Sequence, residues 1–215
     1  DSSVGGKTAV DLKAGKNLAG AFWQPSLVLC DCDTLSTLDE AIFRDGCAEI
    51  IKYGVIRDRV LFDKLRIPVR SQAEEIIARC VEIKRDVVCA DEFDTGLRQI
   101  LNFGHTVGHA IESCSSYTLS HGSAVAAGMV IISRAAMRMG ICSTECFSAV
   151  HGMVLRYGLP DGSPYTAKEL LEVMRSDKKR SGSTINLILP EQIGKCTIHK
   201  IDIALLEDFL TAGTC

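Results

Sequence analysis

Two histidines lie four residues apart in the stretch LNFGHTVGHAIE, which runs from Leu101 to Glu112. If this stretch is a helix, His105 and His109 lie one turn apart on the same face. Neutral imidazoles arranged in this way are common ligands of divalent metals. The spacing also occurs where two histidines are partly buried and hydrogen-bonded, so the pair alone leaves a metal site and a structural role open.

A third histidine and a glutamate extend this possible site. His121 lies in TLSHGSAVAAGM, at the expected start of a core helix. Glu49 lies in CAEIIKYG on an apolar helix, where a carboxylate needs a partner. Lys52 is either that partner or, if Glu49 binds a metal, a contact for a substrate anion. One carboxylate and two histidines predict a catalytic divalent-metal site with open positions, and this ligand set favours zinc.

Further polar residues are expected on helices near these histidines. They are Lys84, Arg98 and Asn102, and the run DKKR at Asp177–Arg180 precedes a predicted hairpin. Each cation, taken alone, is typical of a solvated surface charge. The N-terminal GGKT lacks the full spacing of a P-loop and is only a weak indication of one.

The segments that must position these residues are predicted to be mainly helical. We expect helices after residue 36, after Ser71, through LRQILNFGHTVGHAIESC, and over Gly122–Met139, Thr144–Tyr157, Ala167–Ser176 and Ile203–Leu210. The run SLVLCDCD is of strand type, and STINLILPEQIGKCTIHKI alternates like a hairpin with Pro190 and Gly194 in its turn region. The predicted fold class is mainly α, with a short α/β stub over residues 1–33 and a helical domain with a small C-terminal hairpin over residues 34–215.

The composition limits the class of protein. The chain has 215 residues, 47% hydrophobic and 24% charged, which is typical of one or two globular domains with a sizeable core. A formal net charge of -3 gives no reason to expect nucleic acid or a membrane as partner. Many of the ten cysteines lie in apolar or helical patterns, so we expect free thiols and a cytoplasmic location.

Several motifs together resemble the 3-dehydroquinate synthase family. In chain order they are DSSVGGKT, AGKNLAGAFWQP, CAEIIKYG, GLRQILNFGHTVGHAIE, SHGSAVAAGM and DKK. The resemblance covers essentially the whole chain and implies an enzyme that uses NAD and a divalent metal, usually zinc, with cobalt as the alternative. The implied reaction converts 3-deoxy-D-arabino-heptulosonate 7-phosphate into 3-dehydroquinate and phosphate, a step of the shikimate pathway to aromatic amino acids.

The resemblance also implies roles for individual residues. The implied metal ligands are Glu49, His105 and His121, and His109 makes polar contacts near substrate and cofactor. The residues that hold the substrate's hydroxyls, carboxylate or phosphate are Asp1, Lys7, Asn17, Lys52, Lys84, Arg98, Asn102 and Lys178. The residues that contact NAD are Lys7, Lys16, Thr34, Leu35, Ser36 and Thr37.

The implied mechanism explains these residue types. NAD oxidises a metal-bound hydroxyl to a ketone, which acidifies the neighbouring C–H so that phosphate leaves, with the substrate's own phosphate as the expected base. Hydride then returns, the ring opens, and the enol closes onto the ketone, so the cofactor ends unchanged. The surrounding cations position the phosphate and carboxylate and offset their charge.

Two departures from the family pattern affect these expectations. Ser123 stands where family members often have a glutamate, which removes a carboxylate near His121. The family's N-terminal dinucleotide-binding domain, of roughly 100–150 residues, is missing from this chain, which begins without Met; residues 1–33 resemble its end. We therefore expect the chain alone to fold as a helical metal-site domain, bind NAD poorly and turn over little. A homodimer is expected from the resemblance.

Alternatives remain open. A related sugar phosphate cyclase, such as 2-deoxy-scyllo-inosose synthase or a valiolone-forming cyclase, would share fold, metal and NAD. Arg98 with Asn102 suits a substrate carboxylate and favours the dehydroquinate branch. An iron-containing alcohol or glycerol dehydrogenase is disfavoured by the DSSVGGKT and GKN motifs, and a non-catalytic helical module by retention of the matched polar residues.

Overall fold

The computed structural model describes the backbone of residues 2–12, 15–177 and 183–214. Side chains are described within these ranges except at residues 11, 15–17, 176 and 177. Of the predicted site residues, Asp1 and Lys178 therefore lie outside the described residues, and so do the side chains of Lys16 and Asn17.

The described chain is mainly helical, as the sequence predicts. The α-helices are α1 (Glu40–Arg57), α2 (Arg59–Lys64), α3 (Ala73–Ala90), α4 (His105–Cys114), α5 (His121–Arg138), α6 (Thr144–Arg156), α7 (Ala167–Asp177) and α8 (Leu206–Thr214). Short 3-10 helices cover Cys32–Thr37, Val69–Gln72, Leu97–Asn102 and Ile203–Leu205. The strands are β1 (Val10–Leu12), β2 (Gly15–Ala19), β3 (Thr184–Gln192) and β4 (Lys195–Asp202). Among the described residues, no helix is both long and apolar enough to cross a membrane.

The chain divides into two compact units. The larger unit contains Leu38–Ser71 and the described residues from Ile100 onward. The smaller unit contains the described residues up to Thr37 together with Gln72–Gln99. The domain boundary expected after residue 33 remains a prediction.

The core of the larger unit is built around α5, which packs against α1, α4, α6 and α8. The sequence of α5 is small or apolar on nearly every face, as expected for a helix that is buried all round. Val125, Met129 and Ile131 are fully buried on it. The helices α1 and α4, which carry Glu49 and His105, are thus packed against the helix that carries His121.

Glycines allow α4 and α5 to approach closely. Gly104 precedes α4 with a φ of +79°, and a Cβ there would lie 2.5 Å from Met129 Cγ of α5. A Cβ on Gly128 would overlap the carbonyl oxygen of Gly104. The predicted continuous helix LRQILNFGHTVGHAIESC is therefore wrong, because the left-handed backbone at Gly104 separates the 3-10 helix Leu97–Asn102 from α4.

β3 and β4 form the predicted antiparallel hairpin. Its turn contains Ile193 and Gly194, and the Gly194 N–H donates to the Val55 carbonyl of α1 at 2.9 Å. Pro190, expected in the turn region, instead lies in β3 opposite Cys196, next to a break in the register. A proline is tolerated at such an irregularity because it cannot donate a ladder hydrogen bond.

The smaller unit contains an antiparallel ribbon of β1 and β2, together with α3. Ile76, Ile83 and Val87 form the buried stripe of α3. The strand predicted in SLVLCDCD is wrong: its apolar part is irregular, and Leu27 and Leu29 are 83% and 88% exposed. Apolar residues favour a strand through packing and burial on a pleated surface, and these side chains have neither.

Candidate metal centre

The middle of α1 supplies a carboxylate and an ammonium group. Glu49 and Lys52 lie one turn apart, and Lys52 Nζ donates to Glu49 Oε2 at 2.6 Å. The Lys52 side chain is only 4% exposed and that of Glu49 is 32% exposed. The structure therefore supports Lys52 as the partner of Glu49, and this contact does not exclude a second contact with a substrate anion.

His105 opens α4 with its two ring nitrogens facing different groups. Nδ1 lies 3.1 Å from the Phe103 carbonyl oxygen, and Nε2 lies 3.3 Å from Glu49 Oε1. Both groups accept hydrogen bonds, but only the Phe103 carbonyl receives one from the ring, so Nδ1 carries the proton in the neutral ring. The Nε2 lone pair then points towards Glu49.

His121 opens α5 and approaches the same carboxylate oxygen. Its Nε2 lies 3.7 Å from Glu49 Oε1. A Cβ on Gly122 would overlap the backbone of Asp45, so only glycine allows this end of α5 to approach α1 so closely. Asp45 lies one turn before Glu49, and the close contact therefore sets the position of His121 beside the carboxylate.

Glu49, His105 and His121 present a donor set that fits a divalent metal. One ligand atom from each lies within 4.8 Å of the others. Glu49 Oε1 is buried and receives no hydrogen bond from the described residues. A buried carboxylate oxygen without a donor is costly unless a cation satisfies it. One carboxylate and two imidazoles leave coordination positions for water or substrate.

Electrostatics at the cluster favour the ligating forms of two residues. Burial alone would raise the pKa of Glu49, but the Lys52 ammonium and both imidazoles outweigh it and hold that pKa well below its usual value. Burial lowers the pKa of His105, which keeps the ring neutral. Contact with Glu49, aided by Glu112, raises the pKa of His121 despite burial. Metal binding must therefore displace a proton more often from His121 than from His105.

His109 lies one turn beyond His105, as the sequence spacing predicts, but it does not join the Glu49 cluster. Its ring centroid is 5.5 Å from that of His105 and 5.8 Å from that of His121. It belongs instead to a second group with Glu112 and His121, and its Nε2 lies 4.0 Å from Glu112 Oε2. The structure thus gives the two histidines of the opening motif different surroundings.

Glu112 is a residue that sequence reasoning missed. Its side chain is 7% exposed, and its Oε2 lies 3.3 Å from His121 Nδ1. The available signal was a carboxylate three residues after His109 on an otherwise apolar turn of helix. Ser123, where the family resemblance led us to expect a glutamate, donates to Asp45 Oδ1 at 2.9 Å.

A pocket of about 220 Å³ opens beside the histidines. Its lining includes both polar and apolar residues: Asn102, His105, Thr106, His109, Ala110, Val173, Met174 and Ile185. Asn102, predicted from the sequence to contact substrate, is therefore placed together with His105 and His109.

Other predicted site residues belong to the smaller unit. Lys7 Nζ donates to Asp94 Oδ2 at 2.8 Å, and Lys84 lies on α3. Arg98 is 1% exposed; its guanidinium donates to the carbonyls of Glu92 and Gly5, while its Nε has no hydrogen-bond partner among the described residues. The roles predicted for these residues remain predictions.

The residues predicted to contact NAD also belong to the smaller unit. Thr34, Leu35, Ser36 and Thr37 lie on the 3-10 helix Cys32–Thr37. The hydroxyls of Thr34, Ser36 and Thr37 donate to backbone carbonyls three residues earlier. These bonds hold the turn, and the predicted NAD contacts remain untested.

Two solved structures of synthases have a similar fold. A 2-deoxy-scyllo-inosose synthase complexed with carbaglucose-6-phosphate, NAD+ and Co2+ is 26% identical with a TM-score of 0.84, covering 99% of this chain and 64% of that one. A 2-epi-5-epi-valiolone synthase from Streptomyces hygroscopicus with NAD+ and Zn2+ bound is 26% identical with a TM-score of 0.85. The similarity covers 98% of this chain and 61% of that one.

Sequence comparison defines the family more narrowly. Residues 46–180 match the C-terminal part of 3-dehydroquinate synthases and residues 1–45 the N-terminal part. The 3-dehydroquinate synthase of Syntrophotalea carbinolica is 44% identical over 94% of this chain and 58% of its own length. The 3-dehydroquinate synthase of Clostridium botulinum is 44% identical over 96% of this chain and 61% of its own length. The chain belongs to the 3-dehydroquinate synthase family, and it spans about 58–61% of the length of these relatives.

Proposed function

We propose that this chain forms the metal- and substrate-binding part of a 3-dehydroquinate synthase. The reaction is the conversion of 3-deoxy-D-arabino-heptulosonate 7-phosphate into 3-dehydroquinate and phosphate. The observation that carries the proposal is Glu49 Oε1, a buried oxygen without a hydrogen-bond donor among the described residues that faces Nε2 of both His105 and His121.

Glu49, His105 and His121 are the proposed ligands of a zinc ion, with cobalt as the alternative. Two imidazoles favour zinc or cobalt over magnesium or calcium, which prefer oxygen ligands. A metal held there would supply Lewis acidity to a substrate hydroxyl, and NAD would supply reversible hydride uptake. The related cyclases with NAD+ and Co2+ or Zn2+ support this choice of cofactors.

The chain's own residues would orient the substrate beside the ligands. Lys52 holds Glu49 Oε2 at 2.6 Å and leaves Oε1 to the metal. Asn102 and His109 line the adjacent pocket and offer an amide and an imidazole to substrate oxygens. In this proposal, cationic side chains bind the phosphate and carboxylate of the substrate. The predicted contacts are Lys7, Lys84, Arg98 and Lys178. The remaining predicted substrate contacts are Asp1 and Asn17. The predicted contacts with NAD are Lys7, Lys16 and residues 34–37.

The assembly and location follow from the same proposal. We propose a cytoplasmic homodimer, as the family resemblance implies. The nine cysteines of the described residues are all free thiols, as expected in a reducing compartment.

The test of the metal site is the metal content of the purified protein and two variants. We expect about one zinc per chain, lost in His121→Ala and kept in His109→Ala, because His121 faces Glu49 Oε1 whereas His109 lies in the second group with Glu112. The variants are matched, since each removes one of three neighbouring histidine rings whose centroids lie 5.2–5.8 Å apart. Loss of zinc from His109→Ala with retention in His121→Ala would contradict the assignment.

The test of the reaction is phosphate release from 3-deoxy-D-arabino-heptulosonate 7-phosphate with NAD and zinc. The chain would be assayed alone and after addition of the N-terminal domain of a relative. We expect release to depend on the added domain and to be abolished by His121→Ala. No release in either case, with zinc bound, would favour a non-catalytic module.

A related sugar phosphate cyclase is the second candidate, favoured by the structural similarity to the inosose and valiolone synthases. These are 26% identical, whereas the 3-dehydroquinate synthases are 44% identical. The same phosphate assay with glucose 6-phosphate, the sugar that carbaglucose-6-phosphate mimics, distinguishes the candidates, because this sugar carries no carboxylate.

A further inference from the structure

Glu112 places a carboxylate inside the histidine cluster without belonging to the proposed ligand set. It projects from the last turns of α4, and its side chain is 7% exposed. A buried carboxylate is expensive unless neighbouring groups donate to it. Its Oε2 lies 3.3 Å from His121 Nδ1 and 4.0 Å from His109 Nε2.

The two nitrogens of His121 face opposite partners. Nδ1 faces Glu112, and Nε2 faces Glu49 Oε1 at 3.7 Å. Both partners are carboxylates that accept hydrogen bonds, but only the Nδ1 contact with Glu112, at 3.3 Å, has hydrogen-bond geometry, so the neutral ring carries its proton on Nδ1. That tautomer leaves the Nε2 lone pair directed at the site where Glu49 and His105 converge.

His105 has the same arrangement with a different acceptor. Its Nδ1 faces the Phe103 carbonyl, and its side chain is 14% exposed. The His121 side chain is 48% exposed and stands at the first residue of α5, where its neighbours restrict the ring less. His121 therefore depends more than His105 on an external group to fix its orientation.

Ser123 does not supply that group. Its hydroxyl donates to Asp45 Oδ1 at 2.9 Å, and Ser120 donates to the same oxygen at 2.8 Å. These bonds fasten the start of α5 to α1. The acceptor on His121 Nδ1 comes instead from α4.

We propose that Glu112 is a positioning residue for the metal centre: its carboxylate fixes the tautomer and orientation of His121 and adds negative charge beside the dication. This inference rests on the proposed metal site. Carboxylates that accept from a ligating imidazole commonly raise its basicity, and their loss weakens metal binding by about 10–100-fold.

The experiment compares zinc affinity in the unmutated protein, Glu112→Gln and Glu112→Ala, by competition with a chromophoric chelator. Glu207→Gln, a change of the same charge at an exposed position on α8, is the matched control. We expect Glu112→Ala to bind zinc about 10–100-fold more weakly, because His121 loses its acceptor. Glu112→Gln keeps an acceptor oxygen but loses the charge, so it should recover part of the affinity. The control should match the unmutated protein.

Further readouts separate positioning from folding and from a second metal site. Circular dichroism of the metal-free variants should show unchanged helix content. The visible spectrum of bound Co2+ should change in Glu112→Ala and return towards that of the unmutated protein in Glu112→Gln.

Equal zinc affinity in Glu112→Ala and the unmutated protein would overturn the inference while leaving the metal site intact. Two metals per chain, one of them lost in Glu112→Ala, would also overturn it, because Glu112 would then be a ligand with His109 and His121. A protein that binds no zinc at all would overturn the proposed metal site and, with it, the inference.

Discussion

The two oxygens of Glu49 have separate partners, and this division organises the centre. Oε2 accepts from Lys52 at 2.6 Å, while Oε1 faces His105 and His121. Rotation of the carboxylate would break the ion pair with a lysine that is only 4% exposed. Lys52 therefore keeps Oε1 directed at the imidazoles before any metal arrives.

Lys52→Met should destabilise the metal-free protein by about 1–3 kcal/mol, because the largely buried charge of Glu49 loses its ammonium partner. Added zinc should recover much of this loss, since a dication satisfies the same carboxylate. Urea unfolding with and without zinc measures both effects.

The control for this prediction is Lys168→Met, which removes an exposed lysine from α7. It should change stability by less than about 0.5 kcal/mol. An equal loss of stability in Lys52→Met with and without zinc would contradict the shared role of Glu49.

At the scale of elements, the close packing of α4 on α5 determines where His105 stands. Gly104→Ala would place a Cβ 2.5 Å from Met129 Cγ in a backbone with φ of +79°. We expect a loss of about 2–5 kcal/mol from left-handed strain and overpacking together, and weaker zinc binding. Thermal or urea unfolding and the chelator competition measure these changes.

Gly152→Ala is the matched control for Gly104→Ala. A Cβ at Gly152, inside α6, meets nothing within 4 Å. This change should be neutral or stabilise the protein by up to about 1 kcal/mol, because alanine favours the helix. Equal effects of the two substitutions would show that packing at Gly104 is not the cause.

The turn that follows α3 should make the stability of the folded protein depend on pH in the acid range. Asp91 accepts from the backbone N–H groups of Arg98, Thr95 and Gly96, which lowers its pKa to about 2. A carboxyl group whose pKa is lowered by folding stabilises the fold at pH values above its pKa in the unfolded chain. This contribution is lost as the pH falls towards the pKa of the same group in the folded protein. Asp91→Asn should therefore be less stable at pH 7, and its deficit should shrink between about pH 4 and pH 2.

Unfolding of Asp91→Asn at several pH values tests this sign. Asp208→Asn, an exposed carboxylate on α8, controls for loss of one charge. A deficit that does not change between pH 7 and pH 2 would show that the Asp91 hydrogen bonds do not depend on its charge.

Helices could be predicted where the sequence pattern within the segment agrees with the packing. They were harder to predict where contacts with distant segments determine where a helix begins or ends. The small, apolar sequence of α5 indicates a core helix without knowledge of its neighbours. The break at Gly104 depends on the approach of Met129 and Gly128, which the local pattern does not contain. Likewise, the apolar run at Leu27–Leu29 satisfies a strand pattern, yet it is exposed.

The grouping of Glu49, His105 and His121 was predictable only through the family resemblance, because spacing alone left His105 and His109 as an equally good pair. Glu112 was missed because its contact with His121 joins the end of α4 to the start of α5 across a turn. Such a contact requires the helix positions, not only the residue types.

At the scale of the whole molecule, the cysteines give a readout of folding that is independent of the metal. Cys30 and Cys89 are exposed, whereas Cys47 and Cys146 are buried and burial raises the pKa of each to about 12. We expect a thiol reagent at pH 8 to label the first pair rapidly and the second only on unfolding.

Mass spectrometry of partially labelled protein measures the order of reaction. Zinc should leave the rates at Cys30 and Cys89 unchanged, because no cysteine of the described residues belongs to the proposed ligand set. Labelling of Cys47 as fast as Cys30 would contradict the packing of α1.

The proposed ligands come from three helices, α1, α4 and α5, that meet only when the larger unit is folded. An ion bound there but not to the unfolded chain would add about 2.7 kcal/mol of stability at a hundredfold excess over its Kd. Metal supply would then set how long the protein survives proteolysis as well as how fast it works. Cells short of zinc would lose the polypeptide itself, and not merely leave it idle.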